Sequence, residues 1–212
     1  MIQPIVEGHG EVNAVPLLLR RLRDEAGAFD LQIGTPIRRT RTQLVREETL
    51  RQVVELARRQ TNCSSILILL DGDDDCPREL APRLAAWAQA AAAGIPSAVV
   101  VAHREYEAWF LAAIESLRGQ RGIRVDASHR DDPESARGAR EALEDLMIAG
   151  SSYHTTADQP ALTAMFDMAT AYRFSRSFRR MVGAFGTLAR AQGIELTVWP
   201  PAEWLRQSHG CA

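Results

Sequence analysis

The chain has 212 residues, of which 46% are hydrophobic, and its formal net charge is −2. This length and composition fit one domain with a well-filled core, and the near-neutral charge excludes a protein that binds nucleic acid through its overall charge. All 25 basic residues are arginine, which excludes a lysine nucleophile, a lysine base and a lysine-containing ATP-binding loop.

Cysteine usage and hydropathy indicate the compartment. Cys63, Cys76 and Cys211 show no CxxC spacing, which is typical of reduced thiols rather than of a disulfide framework or a zinc site. No signal-peptide pattern opens the chain, and the longest apolar stretch, residues 84–95, is too short to span a bilayer. We therefore expect a cytoplasmic protein without membrane association.

The first 117 residues alternate between short apolar runs and amphipathic segments. Strands are predicted at residues 2–6, 29–38, 65–70 and 98–102, and helices at 12–26, 44–60 and 79–93, with a further helix after the fourth strand. Alternation of this kind predicts an α/β fold with a central parallel sheet covered by helices on both faces.

The character of the chain changes after residue 118. Residues 119–135 are rich in Arg, Asp, Gly and Ser and predict an exposed loop, and three helices and a terminal strand are predicted at 134–148, 159–172, 176–192 and 195–199. We interpret residues 1–117 as an α/β core and residues 118–212 as a helical layer that packs with it in one domain.

Acidic residues follow two of the predicted strands. Glu7 and Glu11 lie in the segment EGHGE after the first strand, and Asp71, Asp73 and Asp75 lie in the segment DGDDD after the third. Ligands of parallel α/β sheets bind at the carboxyl ends of the strands, where gathered carboxylates repel one another unless a hard cation lies between them. We therefore predict that Glu7 and Asp71 lie at neighbouring strand ends. With Asp73 they are expected to form a Mg²⁺ or Mn²⁺ site, with Asp75 near enough to reach it.

Simpler interpretations exist for part of this pattern. Glu11 has the position of an acid that the helix dipole favours in a first turn. The Asp run has the composition of a solvated turn, and Asp74 is expected to face water.

Two further residues follow the fourth predicted strand. Glu107 lies in the segment EYEAWFL, which also fits a helix start with acids at its positive end. His103 lies at the same strand end and is either a metal or phosphate ligand or a structural histidine.

Arginines form two basic edges. The first edge follows the second strand and consists of Arg38, Arg39 and Arg41. The second lies in and just before the segment SRSFRR at 175–180 and consists of Arg173, Arg176, Arg179 and Arg180. Guanidinium groups neutralise and orient phosphodiesters, so both edges are candidates for nucleic-acid binding. The alternative for each arginine is an ordinary solvated helix surface.

The chain resembles the Toprim domain, which topoisomerases, primases and nucleases of the OLD (overcoming lysogenization defect) family share. The resemblance rests on the segment EGHGE and the later Asp-x-Asp pair. The chain is also similar, almost end to end, to small Toprim-like proteins of the DUF4276 family. That similarity rests on four segments in order, which are IVEGHGE at 5–11, LDGDD at 70–74, EYEAWFL at 105–111 and SRSFRR at 175–180.

The resemblance implies a Toprim-like (Rossmann-like) fold and a Mg²⁺- or Mn²⁺-dependent nuclease. It implies catalytic or metal-binding roles for the carboxylates that match the motifs, namely Glu7, Glu11, Asp71, Asp73 and Glu107. His154, in the family-like segment YHTT at 153–156, becomes a further candidate for nucleic-acid contact.

The resemblance also implies partners. It predicts a DNA-cleaving subunit, with RNA left open, that works beside a separate ATPase in anti-phage defence, and it leaves a homo-oligomer open. The alternatives are a non-catalytic Toprim scaffold that binds a partner and a phosphohydrolase acting on a smaller substrate.

Overall fold

Four apolar runs form one parallel sheet in the computed structural model of the protein, which describes residues 1–129, 132–135, 137–196 and 198–205. The strands are β1 (Ile2–Val6), β2 (Ile37–Arg38), β3 (Ser65–Asp71) and β4 (Ser97–Ala102), in the spatial order β2-β1-β3-β4. Every pairing is parallel, which confirms the predicted α/β class and central parallel sheet.

Helices surround the sheet and occupy most of the C-terminal half. Their bounds are α1 (Glu11–Glu25), α2 (Arg41–Leu44), α3 (Glu47–Arg58), α4 (Pro77–Ala92), α5 (Ala108–Ala112), a 3-10 helix (Ile114–Leu117), α6 (Ala139–Asp145), α7 (Thr155–Met165), α8 (Met168–Phe174), α9 (Arg176–Ala191) and α10 (Ala202–Leu205). No helix in the described ranges combines the length and the apolar character that crossing a bilayer requires.

The sheet separates two hydrophobic clusters because successive strand residues point to opposite faces. Ile68 and Leu70 pack on one face with buried side chains of α3 and α4. Leu67 and Leu69 pack on the other face with α1 and with helices from the second half, including α5 and α9. The C-terminal helices therefore cover one face of the same sheet.

Four predicted elements differ from the structure. The second strand shrinks to Ile37–Arg38 plus one isolated bridge from Ile33, since Gly34 and Pro36 interrupt the segment. The helix predicted over 134–148 is helical only over Ala139–Asp145, and Ala136 lies outside the described residues. The helix predicted over 159–172 is divided into α7 and α8 at Asp167, whose side chain caps α8 by accepting a hydrogen bond from Thr170 N.

The terminal strand predicted over 195–199 is wrong for the residues of that segment that the structure describes, while Thr197 lies outside them. Trp199 instead packs against Phe185 and Trp204, and its indole N–H donates to Val182 O at 2.9 Å. Burial of the indole against α9 and α10 therefore determines the path of this segment.

Close packing at Gly10 joins the first turn of α1 to α7. A Cβ at Gly10 would lie 2.6 Å from Thr155 O and would overlap Gln159 Oε1. We expect Gly10→Ala to destabilise the protein by about 1–3 kcal/mol through overpacking, measured as a lower melting temperature. Gly183→Ala is the matched control, because Gly183 lies in α9 with open space around it and alanine favours a helix. Equal melting temperatures for the two variants would contradict this account.

Candidate functional site

The turn between β1 and α1 holds two of the predicted acids. Glu7 follows the last residue of β1, and Glu11 begins α1 with a side chain that is only 2% exposed. Glu11 Oε2 accepts hydrogen bonds from the N–H groups of Glu7 at 2.9 Å and Gly8 at 3.1 Å. Glu11 therefore folds back over its own turn and fixes the backbone that carries Glu7.

Asp71 ends β3, the strand that neighbours β1. The backbone N–H of Asp71 donates to Glu7 Oε2 at 3.3 Å, and Asp71 Oδ1 accepts from Tyr106 N at 2.9 Å. The prediction that Glu7 and Asp71 lie at neighbouring strand ends is confirmed by the register, in which Val6 pairs with Leu69. These two hydrogen bonds link Glu7 at the end of β1 to Asp71 at the end of β3, and Asp71 to Tyr106 in the segment that follows β4.

Glu107 is buried at the start of α5, with 4% of its surface exposed. Its Oε1 accepts hydrogen bonds from Tyr153 Oη at 2.8 Å and from Gln159 Nε2 at 3.2 Å. Both donors come from the C-terminal half, so that half positions the Glu107 carboxylate beside the acids of the core.

Glu11, Asp71 and Glu107 line one pocket of about 350 Å³, and Glu7 lies next to it through its hydrogen bond with Asp71 N. Its lining is acidic, with Arg140 as a basic member, and consists of Gly8, Glu11, Asp71, Asp73, Glu105, Glu107, Arg140, Glu141, Thr155 and Gln159. We call it the acidic pocket. It opens at the carboxyl edge of the sheet, where parallel α/β folds place their ligands.

Burial and mutual repulsion raise the pKa values of these carboxyls. Burial raises the pKa of Glu11 to about 7, and the charges of Glu7 and Glu107 act in the same direction against the hydrogen bonds from Gly8 and Glu7. Burial also raises the pKa of Asp71 well above its ordinary value, with further increases from Glu11, Glu107, Glu7 and Glu105. The pocket therefore favours protons or a cation over free carboxylates.

The pKa of Glu7 is raised as well, chiefly by burial and then by the charge of Asp73. The N–H of Asp71 and the guanidinium of Arg41 oppose this increase. Glu107 follows the same pattern, because burial raises its pKa while the Tyr153 hydroxyl lowers it.

The other acids of the Asp run contact arginines, and of these only Asp73 also lines the acidic pocket. Asp73 and Asp75 both pair with Arg41, at 2.9 Å and 2.6 Å, and Asp74 is exposed and pairs with Arg104 and Arg137. Arg41 therefore holds the two carboxylates that were predicted to complete the metal site.

A divalent cation fits the donor chemistry of the acidic pocket. Its carboxylates are hard oxygen donors, and Gln159 Oε1 is buried there without a hydrogen-bond partner among the described residues. However, no three His, Cys, Asp or Glu side chains of the described ranges already stand in an arrangement that would hold a metal ion. Glu7, Asp71 and Glu107 each engage one carboxylate oxygen with a protein donor and retain a second oxygen.

The predicted nucleic-acid ligands are dispersed. Arg38 lies beside the acidic turn and donates to Glu7 O at 3.4 Å, while Arg39 donates to Arg38 O. Arg179 donates to Tyr172 O and Arg173 O, which closes the C-terminal end of α8.

His154 and two remaining arginines occupy other positions. His154 is exposed at the N-cap of α7, and its Nε2 lies 3.1 Å from Ser152 Oγ. Arg176 and Arg180 are exposed in the first turns of α9 and line a second pocket.

Sequence reasoning missed the residues that support the acids. Tyr153 could have been found, because it begins the family-like segment YHTT at 153–156. Gln159 lies in an ordinary helical segment, and no motif marks it. Arg41 belonged to the first basic edge, but only the fold shows that it binds Asp73 and Asp75.

Comparison with known proteins gives a family. No curated protein and no solved structure matches the chain significantly. The family described as "Domain of unknown function (DUF4276)" matches residues 6–185, a span that includes Glu7, Asp71, Glu107, Tyr153 and Gln159. The chain therefore belongs to the DUF4276 family.

Proposed function

We propose that the protein is a metal-dependent phosphodiesterase, the nuclease subunit of a Toprim- or OLD-type system. The observation that carries this proposal is the convergence of Glu7, Glu11, Asp71 and Glu107 at the carboxyl edge of the sheet, with raised pKa values. Perturbed carboxyls gathered in a cleft are typical of catalytic and metal-binding sites.

Glu7, Asp71 and Glu107 are the residues that would hold Mg²⁺ or Mn²⁺. When bound, the ion would supply an activated water and would neutralise charge on the leaving oxygen. Asp73 lines the acidic pocket and binds Arg41 through Oδ2, so it would be a further ligand through Oδ1, whereas Asp75 does not line the pocket and is assigned to the support of Arg41 and of the β3–α4 loop.

The chain's own residues would divide the remaining tasks. Burial and the charge of Asp73 raise the pKa of Glu7, which suits a group that accepts a proton. Arg140 lines the pocket and offers a guanidinium to a phosphate oxygen. Glu11 holds the turn through the N–H groups of Glu7 and Gly8, and Tyr153 and Gln159 orient Glu107.

The biological setting of this proposal comes from the resemblance to OLD-type nucleases. That resemblance makes a separate ATPase the expected partner, and the chain, which has no lysine, contains no Walker A loop of its own. DNA is the expected substrate, RNA is the second choice, and anti-phage defence is the expected role.

A phosphohydrolase of small substrates is the second candidate. The acidic pocket, at about 350 Å³, has the size of a small-molecule site. It is enclosed by residues from Gly8, which follows β1, to Gln159 in α7. Hydrolysis of a chromogenic phosphate monoester without cleavage of nucleic acid would select this candidate.

The test is a cleavage assay with single- and double-stranded DNA, RNA and the monoester, in Mn²⁺ or Mg²⁺, with and without an ATPase partner. We expect nucleic-acid cleavage by the wild type and a loss of about 100-fold or more in Glu107→Gln, since even groups that only orient a metal ligand contribute 10- to 100-fold. Glutamine keeps an acceptor for Tyr153 and removes the charge.

The matched control is Glu55→Gln, which neutralises an exposed acid of α3 that pairs only with Arg59 among the described residues. It should cleave at the wild-type rate. Equal activity of Glu107→Gln and the control would refute the assignment of the acidic pocket as the active site.

A further inference from the structure

A second pocket lies beside the edge strand β4. It has a volume of about 200 Å³ and lies between the first turns of α4 and α9 and the end of β4. Its lining consists of Cys76, Pro77, Arg78, Val101, His103, Glu134, Arg176, Ser177 and Arg180. None of these residues lines the acidic pocket, and we call this second site the arginine pocket.

The arginine pocket has an excess of positive charge. Three guanidinium groups, those of Arg78, Arg176 and Arg180, face one carboxylate, Glu134. Glu134 Oε1 is already engaged by Ser175 Oγ and Ser177 N, each at 2.6 Å, so that this buried carboxylate serves chiefly to cap α9.

The guanidinium groups have little compensation from the protein. Arg176 is 73% exposed, and its contacts with Glu134 and Asp132 are long, at 3.8 Å and 3.9 Å. In the part of the chain that the structure describes, no carboxylate lies within ion-pair distance of Arg78 or Arg180. Their charges are thus available to an external anion.

The helix ends contribute to the positive potential of the arginine pocket. The N-terminus of an α-helix carries partial positive charge and favours an anion, yet Arg78 and Arg176 place positive side chains in the first turns of α4 and α9. No side chain caps the N-terminus of α4. The buried carboxylate of Glu134 already compensates the end of α9, and Glu79 adds an acid to the first turn of α4. A bound anion would therefore act chiefly at Arg78 and at the uncapped end of α4.

His103 provides a separate indication of a ligand. It lines the arginine pocket, and its Nδ1 is buried without a hydrogen-bond partner among the described residues. Buried polar atoms in proteins are nearly always paired with protein or with a bound molecule. In the tautomer that carries the proton on Nδ1, a rotation of the His103 ring toward the pocket would let it donate to an anionic oxygen.

We propose that the arginine pocket binds a phosphate group of the nucleic acid that the acidic pocket cleaves. Nucleic acid as the source of the phosphate rests on the proposed function, whereas the phosphate site itself rests on the three arginines, the uncapped end of α4 and His103. Guanidinium groups suit phosphate oxygens because they donate in pairs. The arginine pocket would thereby hold the strand at a fixed position relative to the acids.

Cys76 makes the site measurable without catalysis, because this exposed thiol lines the pocket. In a Cys63→Ser, Cys211→Ser background, without divalent metal, iodoacetamide alkylation of Cys76 is followed by mass spectrometry. The probes are inorganic phosphate, a 5′-phosphorylated oligonucleotide and its 5′-hydroxyl counterpart. We expect all phosphate-bearing probes to slow alkylation in a saturable manner.

The Arg180→Gln variant should raise the half-protecting concentration about 10-fold, as loss of a hydrogen bond to a charged group would. Arg190→Gln is the matched control, since it removes an exposed arginine from the opposite end of the same helix and should leave that concentration unchanged. Equal effects of the two substitutions would show a diffuse charge effect and would overturn the proposal.

The oligonucleotide pair identifies the source of the phosphate. Stronger protection by the 5′-phosphorylated strand assigns the pocket to a terminal phosphate, and equal protection assigns it to an internal phosphodiester. Protection by inorganic phosphate without protection by either strand would refute the nucleic-acid source, and absence of all protection would refute the site. Because no metal is present, these outcomes are independent of whether the acidic pocket cleaves its substrate.

Discussion

Asp71→Asn is expected to abolish divalent-ion binding and to reduce cleavage by about 100-fold or more, while the protein remains folded. Asp71 is the acid on which the charges of Glu11, Glu107, Glu7 and Glu105 all act. Asparagine preserves the shape and the acceptor for Tyr106 N but removes the negative charge. The measurements are Mn²⁺ calorimetry, the cleavage assay and the melting temperature of the metal-free protein.

The melting temperature distinguishes loss of function from loss of fold. Because burial and repulsion disfavour the Asp71 carboxylate, its removal should leave the melting temperature at or above that of the wild type at pH 8. Asp30→Asn is the control, since Asp30 is exposed in the loop that leads to the amino edge of the sheet. Mn²⁺ binding by Asp71→Asn with wild-type affinity would contradict the proposed metal site.

The second large effect is a pH-dependent loss of stability caused by Glu11. Its pKa is about 7 in the folded protein, against 4.5 as its ordinary value. Below about pH 4.5 both states hold the proton, and between 4.5 and 7 the unfolded chain loses it while the folded protein keeps it. The free energy of unfolding of the metal-free protein should therefore fall as pH rises through this window, by about 3 kcal/mol from Glu11.

Glu11→Gln should remove this contribution. The variant should equal the wild type near pH 4.5 and exceed it in melting temperature by pH 8, by ~2–4 °C per kcal/mol for a chain of this size. Thermal melts from pH 4.5 to 8 with EDTA measure the difference, and Glu55→Gln is the control that should follow the wild type. A difference between Glu11→Gln and wild type that does not change with pH would exclude Glu11 as the titrating group.

Much of the core was predictable from local pattern. The runs at 2–6, 65–70 and 98–102 are apolar on both faces apart from Gln3 and Ser65, which a sheet covered on both sides buries. The weak second strand was overestimated because Gly34 and Pro36 limit pairing, and the terminal strand was wrong where described because Trp199 packs against Phe185. In the second strand a local backbone constraint overrides the apolar pattern, and in the terminal segment the packing of Trp199 against α9 does so.

The sequence by itself determined that Glu7 and Asp71 would share an edge, since parallel strands that end in acids end on the same side of the sheet. Only the tertiary structure decided the partner of each carboxylate. The hydrogen bond between Glu107 and Gln159 spans 52 residues of sequence. The one between Asp71 and Tyr106 spans 35 residues, and the contact between Arg41 and Asp75 spans 34. Such pairings depend on how the C-terminal helices and the loop after β2 pack on the sheet. A hydrogen bond or an ion pair at that separation leaves no periodic pattern along the chain, whereas a buried strand does.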